Sequence, residues 1–447
     1  CDWSSDVCSS DLLLFRRSTD AQDFELAING GEAVVPKGMI KSWPVITDED
    51  KQAVMDVFDS GHIHGCSAPQ AVALQDEWTE FCGCKYALVT NSGTSALHMA
   101  VAGAGIEPGD EVITSAHTYW STAAAILHHN AIPVFADIAP DTFTIDPVDI
   151  EKRITPLTKG ILAVHILGMP ADMDPILEVA RKHNLKVISD ACQSHGAEYK
   201  GKKVGNLCDG TGFSLNRSKN LTSAEGGLYT TNDDAAYQYC SRMREFGEVI
   251  VPGQERQYNA SVLGWMYRSV EFCNAFARSQ LKRLPYNNGQ RIEMSEYLTE
   301  KLKDIPGMSG PYTPPDRKPV YWTYTVKYDP AELGLDVDAK TFRLRAQKVF
   351  AAEGMTVGPW QHVPVPAQSV FQQKMGYGHG CPWTCCYKGN VEYKVDDYPK
   401  TWEFLATHVR VGAVHPPNGM DLMERYVEGF RKVMGQASEW AYREDLA

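Results

Sequence analysis

Between residues 86 and 231 short apolar runs alternate with longer amphipathic stretches, and this alternation predicts a succession of strands and helices. The apolar runs lie at 86–90, 111–115, 132–136, 160–165, 186–190, 210–215 and 227–231. Helical periodicity falls between them at 95–104, 121–128 and 174–183. Strands that are apolar on both faces, mostly separated by helices, belong in a largely parallel sheet covered on each side. The last two runs are joined by a polar, glycine-bearing segment instead of a helix.

Upstream, residues 24–46 hold Gly30-Gly31 and scattered prolines and predict an irregular lead-in. Thr47-Asp-Glu-Asp has the form of a capped helix start, with the helix running to Ser60 before Gly61. A second helix is expected from after Ser67 to near Gly83. Beyond about Gly264 the pattern changes to long helices at 270–284 and 286–302, a strand at 321–328 and a helix at 338–353. A loop-rich stretch at 359–400 and a last helix after Met420 follow. The division expected is a lead-in at 13–46, a large α/β domain at 47–264 and a smaller α+β domain at 265–447.

Composition adds limits. With 447 residues, 43% hydrophobic and 22% charged, the chain is of ordinary globular type and long enough for two or three domains. A net charge of −13 argues against nucleic acid or an anionic membrane as partner. No apolar run approaches the roughly 18 residues of a membrane span. Residues 1–12 (Cys-Asp-Trp-Ser-Ser-Asp-Val-Cys-Ser-Ser-Asp-Leu) resemble the translation of a sequencing-library adapter, and they lack the basic start and apolar centre of a signal peptide. The remaining cysteines are expected as reduced thiols in a cytoplasmic protein. The cluster Cys381-Pro-Trp-Thr-Cys385-Cys386, beside His379, lacks the paired Cys-x-x-Cys spacing of a zinc site and reads as loop packing, with no metal.

Candidate chemistry gathers at the carboxyl ends of the strands, where ligands bind in an open α/β sheet. Asp190 closes an apolar strand. Lys219 lies in the polar turn after the next one, Phe213-Ser-Leu-Asn-Arg-Ser-Lys219. A desolvated lysine is a usable nucleophile and base, and an aspartate can hold a pyridine nitrogen protonated. Together they suit a pyridine aldehyde cofactor, bound to the lysine as an imine. Asn91-Ser-Gly93-Thr94 opens a helix, where free N–H groups and the helix dipole make an anion site; simple N-capping by Ser92 or Thr94 is the alternative. Tyr119 or Trp120 can stack on a flat heterocycle, although Trp120 reads better as a core aromatic. Ser214 is placed to touch a phosphate.

These landmarks resemble the DegT/DnrJ/EryC1/StrS family of pyridoxal-phosphate aminotransferases, which act on keto-sugars and aminocyclitol precursors. The resemblance runs over about residues 25–310. It rests on Asn91-Ser-Gly-Thr-Ser-Ala-Leu, Pro108-Gly-Asp-Glu-Val-Ile, His165-Ile-Leu-Gly-Met-Pro-Ala-Asp-Met-Asp174, Asp190-Ala-Cys-Gln-Ser-His-Gly-Ala197, the lysine segment and Glu225-Gly-Gly227. It implies the type I aminotransferase fold: a mainly parallel seven-stranded sheet domain, a smaller α+β domain, and a homodimer with sites at the subunit interface. It implies Lys219 as the imine lysine, Asp190 on the pyridine nitrogen, Gln193 near the ring hydroxyl and Tyr119 on the ring face. Gly93, Thr94 and Ser214 are the implied phosphate holders. The family's Leu-Gly-Tyr-Asn-Tyr-Arg stands here as Leu263-Gly-Trp-Met266-Tyr-Arg268, so the asparagine's reach to the neighbouring subunit's phosphate is missing, with Asn259 or Tyr267 as substitute donors.

The expected reaction moves an amino group from glutamate or glutamine to a keto-sugar, nucleotide-keto-sugar or keto-cyclitol. Leu26-Ala-Ile-Asn-Gly-Gly31 and Gly380-Cys-Pro-Trp383 are similar to a subgroup holding aminohydroxybenzoate synthases and inosose aminotransferases. A dehydratase or aromatising synthase is therefore one alternative, and a non-catalytic regulatory protein on the same scaffold is another. In the family's dehydratases the lysine is replaced by histidine, whereas Lys219 is present here. Acceptor specificity is expected in 359–400, with His362, His379, Trp383 and Tyr387 as candidates.

Overall fold

The computed structural model describes residues 25–63, 65–251 and 254–446. The stretch 1–12, with the lead-in as far as residue 24, lies outside them. Helix α1 (Asp48–Ser60) starts as its sequence predicts: Thr47 accepts from the Asp50 N–H, and the Asp50 carboxylate accepts from the Thr47 N–H. Helix α2 (Pro69–Cys82) has no side-chain cap of its own. The Glu271 carboxylate caps it from far along the chain, accepting from the N–H groups of Gln70 and Ala71.

The large sheet grows from βα units. In chain order it holds β1 (Tyr86–Thr90), α3 (Gly93–Gly103), β2 (Glu111–Ser115), α4 (Trp120–His128), β3 (Ile132–Ala136), α5 (Pro147–Arg153), β4 (Thr158–Val164), α6 (Met173–His183) and β5 (Lys186–Asp190). A ribbon of β6 (Glu198–Tyr199) and β7 (Lys202–Lys203) precedes β8 (Gly210–Ser214) and β9 (Gly227–Thr231), and α7 (Asp234–Arg244) closes the unit. The seven main strands lie in the order β1-β9-β8-β5-β4-β2-β3. All neighbours from β8 to β3 are parallel, and only β9 runs against both its partners. That exception has a local cause: a turn without a helix returns the chain beside the strand it just left. The strands match the predicted runs to within two residues. Helices α5 and α7 were not singled out in the sequence; α5 is a single short, highly charged stretch with little periodicity, whereas α7 carries a readable amphipathic pattern that was passed over.

The sequence pattern predicts two helices, 270–284 and 286–302, whereas the chain forms one, α8 (Glu271–Leu302), with Pro285 inside it. Proline in a helix interior costs about 3 kcal/mol. Burial of both halves offsets that cost. Ala277, Leu281 and Leu284 pack in the core beneath α2 and β8, and Met294, Leu298 and Leu302 pack in a second core. This second core is built around β10 (Met308–Ser309), β12 (Tyr324–Tyr328), β13 (Val357–Gly358) and β14 (His408–Val411), in the antiparallel order β10-β12-β14-β13. Strand β11 (Arg317–Lys318) joins the β6–β7 ribbon instead. Helix α9 (Ala339–Ala352) packs on the small sheet, and helix α10 (Met420–Gly435) packs against α8 and α9 in the same core. The lead-in docks there too: the buried Glu353 carboxylate accepts from the Ala27 and Val34 N–H groups and pairs with Lys432 at 3.0 Å.

One expectation about cysteine is overturned. Cys381 and Cys385 form a disulfide, with Cα atoms 5.2 Å apart. The turn in which the Thr384 N–H bonds to the Gly380 carbonyl brings the two thiols together. Among the described residues no helix is long and apolar enough to cross a membrane.

Candidate active site

The carboxyl ends of β4, β5 and β8 and the start of α3 open into one cavity of about 380 Å³. Gly93, Thr94, Tyr119, Asp190, Gln193, Ser214 and Lys219 all line it. Successive parallel strands deliver their last residues to the same edge of the sheet, so candidates far apart in sequence meet there.

Lys219 rides on the turn between β8 and β9. The turn is closed by its own backbone: Leu215 N–H bonds to the Gly226 carbonyl, Arg217 N–H to that of Ala224, and Lys219 N–H to that of Asn216. The ammonium lies 4.6 Å from the centre of the Trp322 ring. Burial lowers the Lys219 pKa from the ordinary lysine range, and the neighbouring Cys192 and Asp190 oppose that shift in part.

Asp190 is 5% exposed. Its Oδ2 accepts from the Thr122 hydroxyl at 2.6 Å and its Oδ1 from the Cys192 N–H at 3.0 Å. Among the described residues it takes part in no ion pair. The Lys219 ammonium is near but makes no direct ion pair with this buried carboxylate, and a cationic ligand nitrogen in the cavity would suit it. Gln193 is fixed by its Oε1, which accepts from the Leu167 N–H at 2.7 Å. Tyr119 stands at the N-cap of α4 and is 58% exposed, with a ring face free for a ligand. Trp120 turns the other way and packs against Phe371, as expected of a core aromatic.

Gly93 is required by space. A Cβ there would stand 2.6 Å from the Ser214 Cβ and 2.9 Å from its Cα, so only glycine lets α3 start against the end of β8. Ser92 caps the helix, accepting from the Ser95 N–H at 3.1 Å. Capping therefore does not exclude an anion here: the cap satisfies one N–H, and the first turn keeps others that a ligand could meet.

Sequence reasoning missed several cavity residues. Trp322 and Trp360 form one wall, their rings edge-to-face at 5.4 Å. His165 closes the floor; its Nδ1 accepts from the Ala171 N–H at 3.0 Å, which leaves Nε2 carrying a proton without a partner. Burial, aided by the Arg317 charge, pushes its pKa down to about 3, so the ring is neutral. Of these three only His165 had a local signal, since it is the last residue of a predicted strand. The expected specificity residues His362, His379, Trp383 and Tyr387 are not among those lining the cavity. Trp383 is buried against Phe371 and Tyr393, and the Tyr387 hydroxyl donates to Glu111. Burying aromatic area within the loop outweighs presenting it to a ligand.

Met266 is half exposed, and its carbonyl accepts from Asn91 Nδ2 at 3.2 Å. Tyr267 is engaged within the chain, its hydroxyl 2.9 Å from His98 Nδ1, whereas Asn259 is exposed.

Comparison with known proteins agrees with this geometry. The family model described as DegT/DnrJ/EryC1/StrS aminotransferase matches residues 44–387. A putative L-glutamine:3-amino-2,3-dideoxy-scyllo-inosose aminotransferase of Micromonospora echinospora is 37% identical over 285 residues, covering 63% of this chain and 68% of the relative. GDP-perosamine synthase of Caulobacter vibrioides is 37% identical over 286 residues, covering 64% and 76%. Among solved structures, S. venezuelae DesV in complex with a ketimine intermediate superposes with a TM-score of 0.73 at 28% identity, over 88% of this chain and 95% of that one.

Proposed function

We propose that this chain, which belongs to the DegT/DnrJ/EryC1/StrS aminotransferase family, is a pyridoxal-phosphate-dependent aminotransferase. It takes an amino group from glutamate or glutamine and passes it to the ketone of a sugar, nucleotide-sugar or cyclitol. The observation that carries the reading is a desolvated lysine and a buried carboxylate, the latter in no ion pair among the described residues, facing one cavity that opens on a glycine-cleared helix start.

The residues present fit the cofactor. Gly93 and Thr94 offer the first N–H groups of α3 to the phosphate, and Ser214 adds a hydroxyl. Asp190 would hold a proton on the pyridine nitrogen, with Thr122 and the Cys192 N–H keeping the carboxylate aimed. Gln193 would lie at the ring hydroxyl and Tyr119 across the ring face. When bound, pyridoxal phosphate supplies an aldehyde for covalent attachment and an electron-withdrawing ring.

The protein's own part is proton control and exclusion of water. With its pKa lowered by burial, Lys219 presents a larger share of neutral amine at Nζ, able to take a proton from the donor's α-carbon and return it elsewhere. Trp322 and Trp360 cover one side of the cavity and keep water from it there. Their broad apolar faces suit the C–H face of a polyol ring, while Asn216 and Glu225 at the rim suit its hydroxyls.

Exposed apolar side chains at Phe58, Leu263, Met266 and Val270 support a homodimer that covers this surface. We read 47–264 as the cofactor-binding domain and 265–447 as the smaller domain supplying the tryptophan wall. The test is reconstitution with pyridoxal phosphate: the loaded protein should absorb in the visible, and glutamate or glutamine should shift that band. Lys219→Ala should lose the band and turnover. A colourless protein that takes up no pyridoxal phosphate sinks the proposal.

A further inference from the structure

The turn that carries Lys219 is gripped from outside at three consecutive residues. Trp322 Nε1–H donates to the Ser218 carbonyl at 2.9 Å, and Trp43 Nε1–H donates to the Lys219 carbonyl at 3.0 Å. The Asn220 amide donates to Asn288 Oδ1 at 3.0 Å and to the Val320 carbonyl at 2.9 Å. None of these partners belongs to the large sheet. Trp43 comes from the lead-in, Asn288 from α8, and Val320 and Trp322 from the segment before β12.

One side chain ties these segments together. The Arg291 guanidinium stacks 4.7 Å over the Trp43 ring, and its Nη1 reaches the Tyr321 carbonyl at 3.5 Å, next to Trp322. Arg291 is 2% exposed, and among the described residues its Nε has no partner and its guanidinium joins no ion pair. A buried guanidinium without a carboxylate is costly to stability, and an apolar side chain of similar volume would cost less. Its position between the two indole-bearing segments gives it a use.

We infer that Trp43, Arg291 and Trp322 are positioning residues that hold the backbone of the Lys219 turn, so that the amine stays in its dehydrated place at the cavity. The inference rests on the proposed role of Lys219 and extends it to residues that do not themselves react. Arg291 braces the ring of Trp43, Trp43 and Trp322 fix adjacent carbonyls, and the lysine stem can then leave the turn in only a narrow set of directions. A positioned group is worth far more than a tethered one, since a displacement of about 1 Å can cost on the order of a hundredfold in rate.

Trp43→Phe removes the contact. It keeps an aromatic ring for Arg291 and His415 to pack on and deletes the N–H with the pyrrole half of the indole. Lys219 in the cofactor-free protein is labelled with an amine-reactive reagent across a pH series, read by mass spectrometry of the Lys219 peptide. In Trp43→Phe the pH of half-maximal labelling should move upward, as a loosened amine regains water. In the reconstituted protein, kcat should fall about tenfold or more with KM for the amino donor little changed. Asn220→Ala, at the third grip point, should move labelling the same way. A melting temperature near that of the parent confirms that the variant is folded. If both folded variants label and turn over as the parent does, the clamp is overturned. Lys219→Ala separates the two ideas: full turnover in that variant overturns the aminotransferase reading itself, whereas a dead Lys219→Ala beside an unaffected Trp43→Phe overturns only the clamp.

Discussion

Gly93→Ala tests the phosphate site most directly. The added methyl would sit 2.6 Å from the Ser214 Cβ and 2.9 Å from its Cα, roughly 1 Å inside the 3.5–4.0 Å at which carbon atoms pack best. Neither side yields easily. Ser214 is the last residue of a strand paired on both edges, and α3 packs along β8 and β9. Overpacking of this kind costs about 1–3 kcal/mol of stability. Relief requires the first turn of α3 to move away, taking its N–H groups with it. Each hydrogen bond to a charged group contributes about 1.5–3 kcal/mol, so losing one should weaken pyridoxal phosphate binding by about tenfold to a hundredfold. Titration of the cofactor-free protein, followed by absorbance, measures this. Gly103→Ala is the control, because it crowds Tyr229 and Cys240 at the far end of the same helix. It should lower the melting temperature and leave cofactor affinity unchanged. Wild-type affinity in Gly93→Ala, or equal loss in both variants, would refute the assignment of the phosphate to this helix start.

Three further outcomes follow from the same structure. Lys219→Met should raise the melting temperature of the cofactor-free protein at neutral pH, since the folded state otherwise carries a lysine whose pKa lies below its ordinary 10.5. The native form releases that proton before the unfolded form does, so the parent gains stability as pH rises and the advantage of the variant should shrink toward pH 10.5. Glu353→Ala strands the buried Lys432 ammonium and frees the lead-in, and should cost about 3–5 kcal/mol in urea unfolding. Gly289→Ala lies on an exposed face of α8 with nothing within 4 Å of the added carbon, and should stabilise by about 0.5–1 kcal/mol in the same assay.

Much of the site is legible in the amino-acid sequence. Asp190, Ser214 and the Ser92-Gly93-Thr94 helix start are each the last or first residues of strongly patterned elements. A parallel sheet carries such residues to one edge whatever the details of packing. Lys219 is legible as the polar interruption between two strands that have to return antiparallel. The tryptophans are not legible, because nothing near Trp43, Trp322 or Trp360 in sequence marks them as neighbours of a lysine 100 or more positions away. The aromatic loop at 359–400 misleads for the converse reason: Trp383 and Tyr387 pack with Phe371 and Tyr393 against α4 and β3, and the exposed His362 and His379 do not line the cavity.

The amino-acid sequence by itself determined the seven strands of the large sheet, the Thr47 cap and the strand-end residues of the cavity, since these depend on neighbours a few positions apart. Tertiary structure alone decided that α8 runs unbroken through Pro285, that Cys381 joins Cys385, and that two indoles and a buried arginine brace the lysine turn. Those outcomes depend on which distant segments share a core, and helix propensity, cysteine spacing and aromatic content do not encode that pairing. The lysine's place in the turn was local information. What holds it there comes from the lead-in, α8 and the approach to β12, and only folding brings those three together.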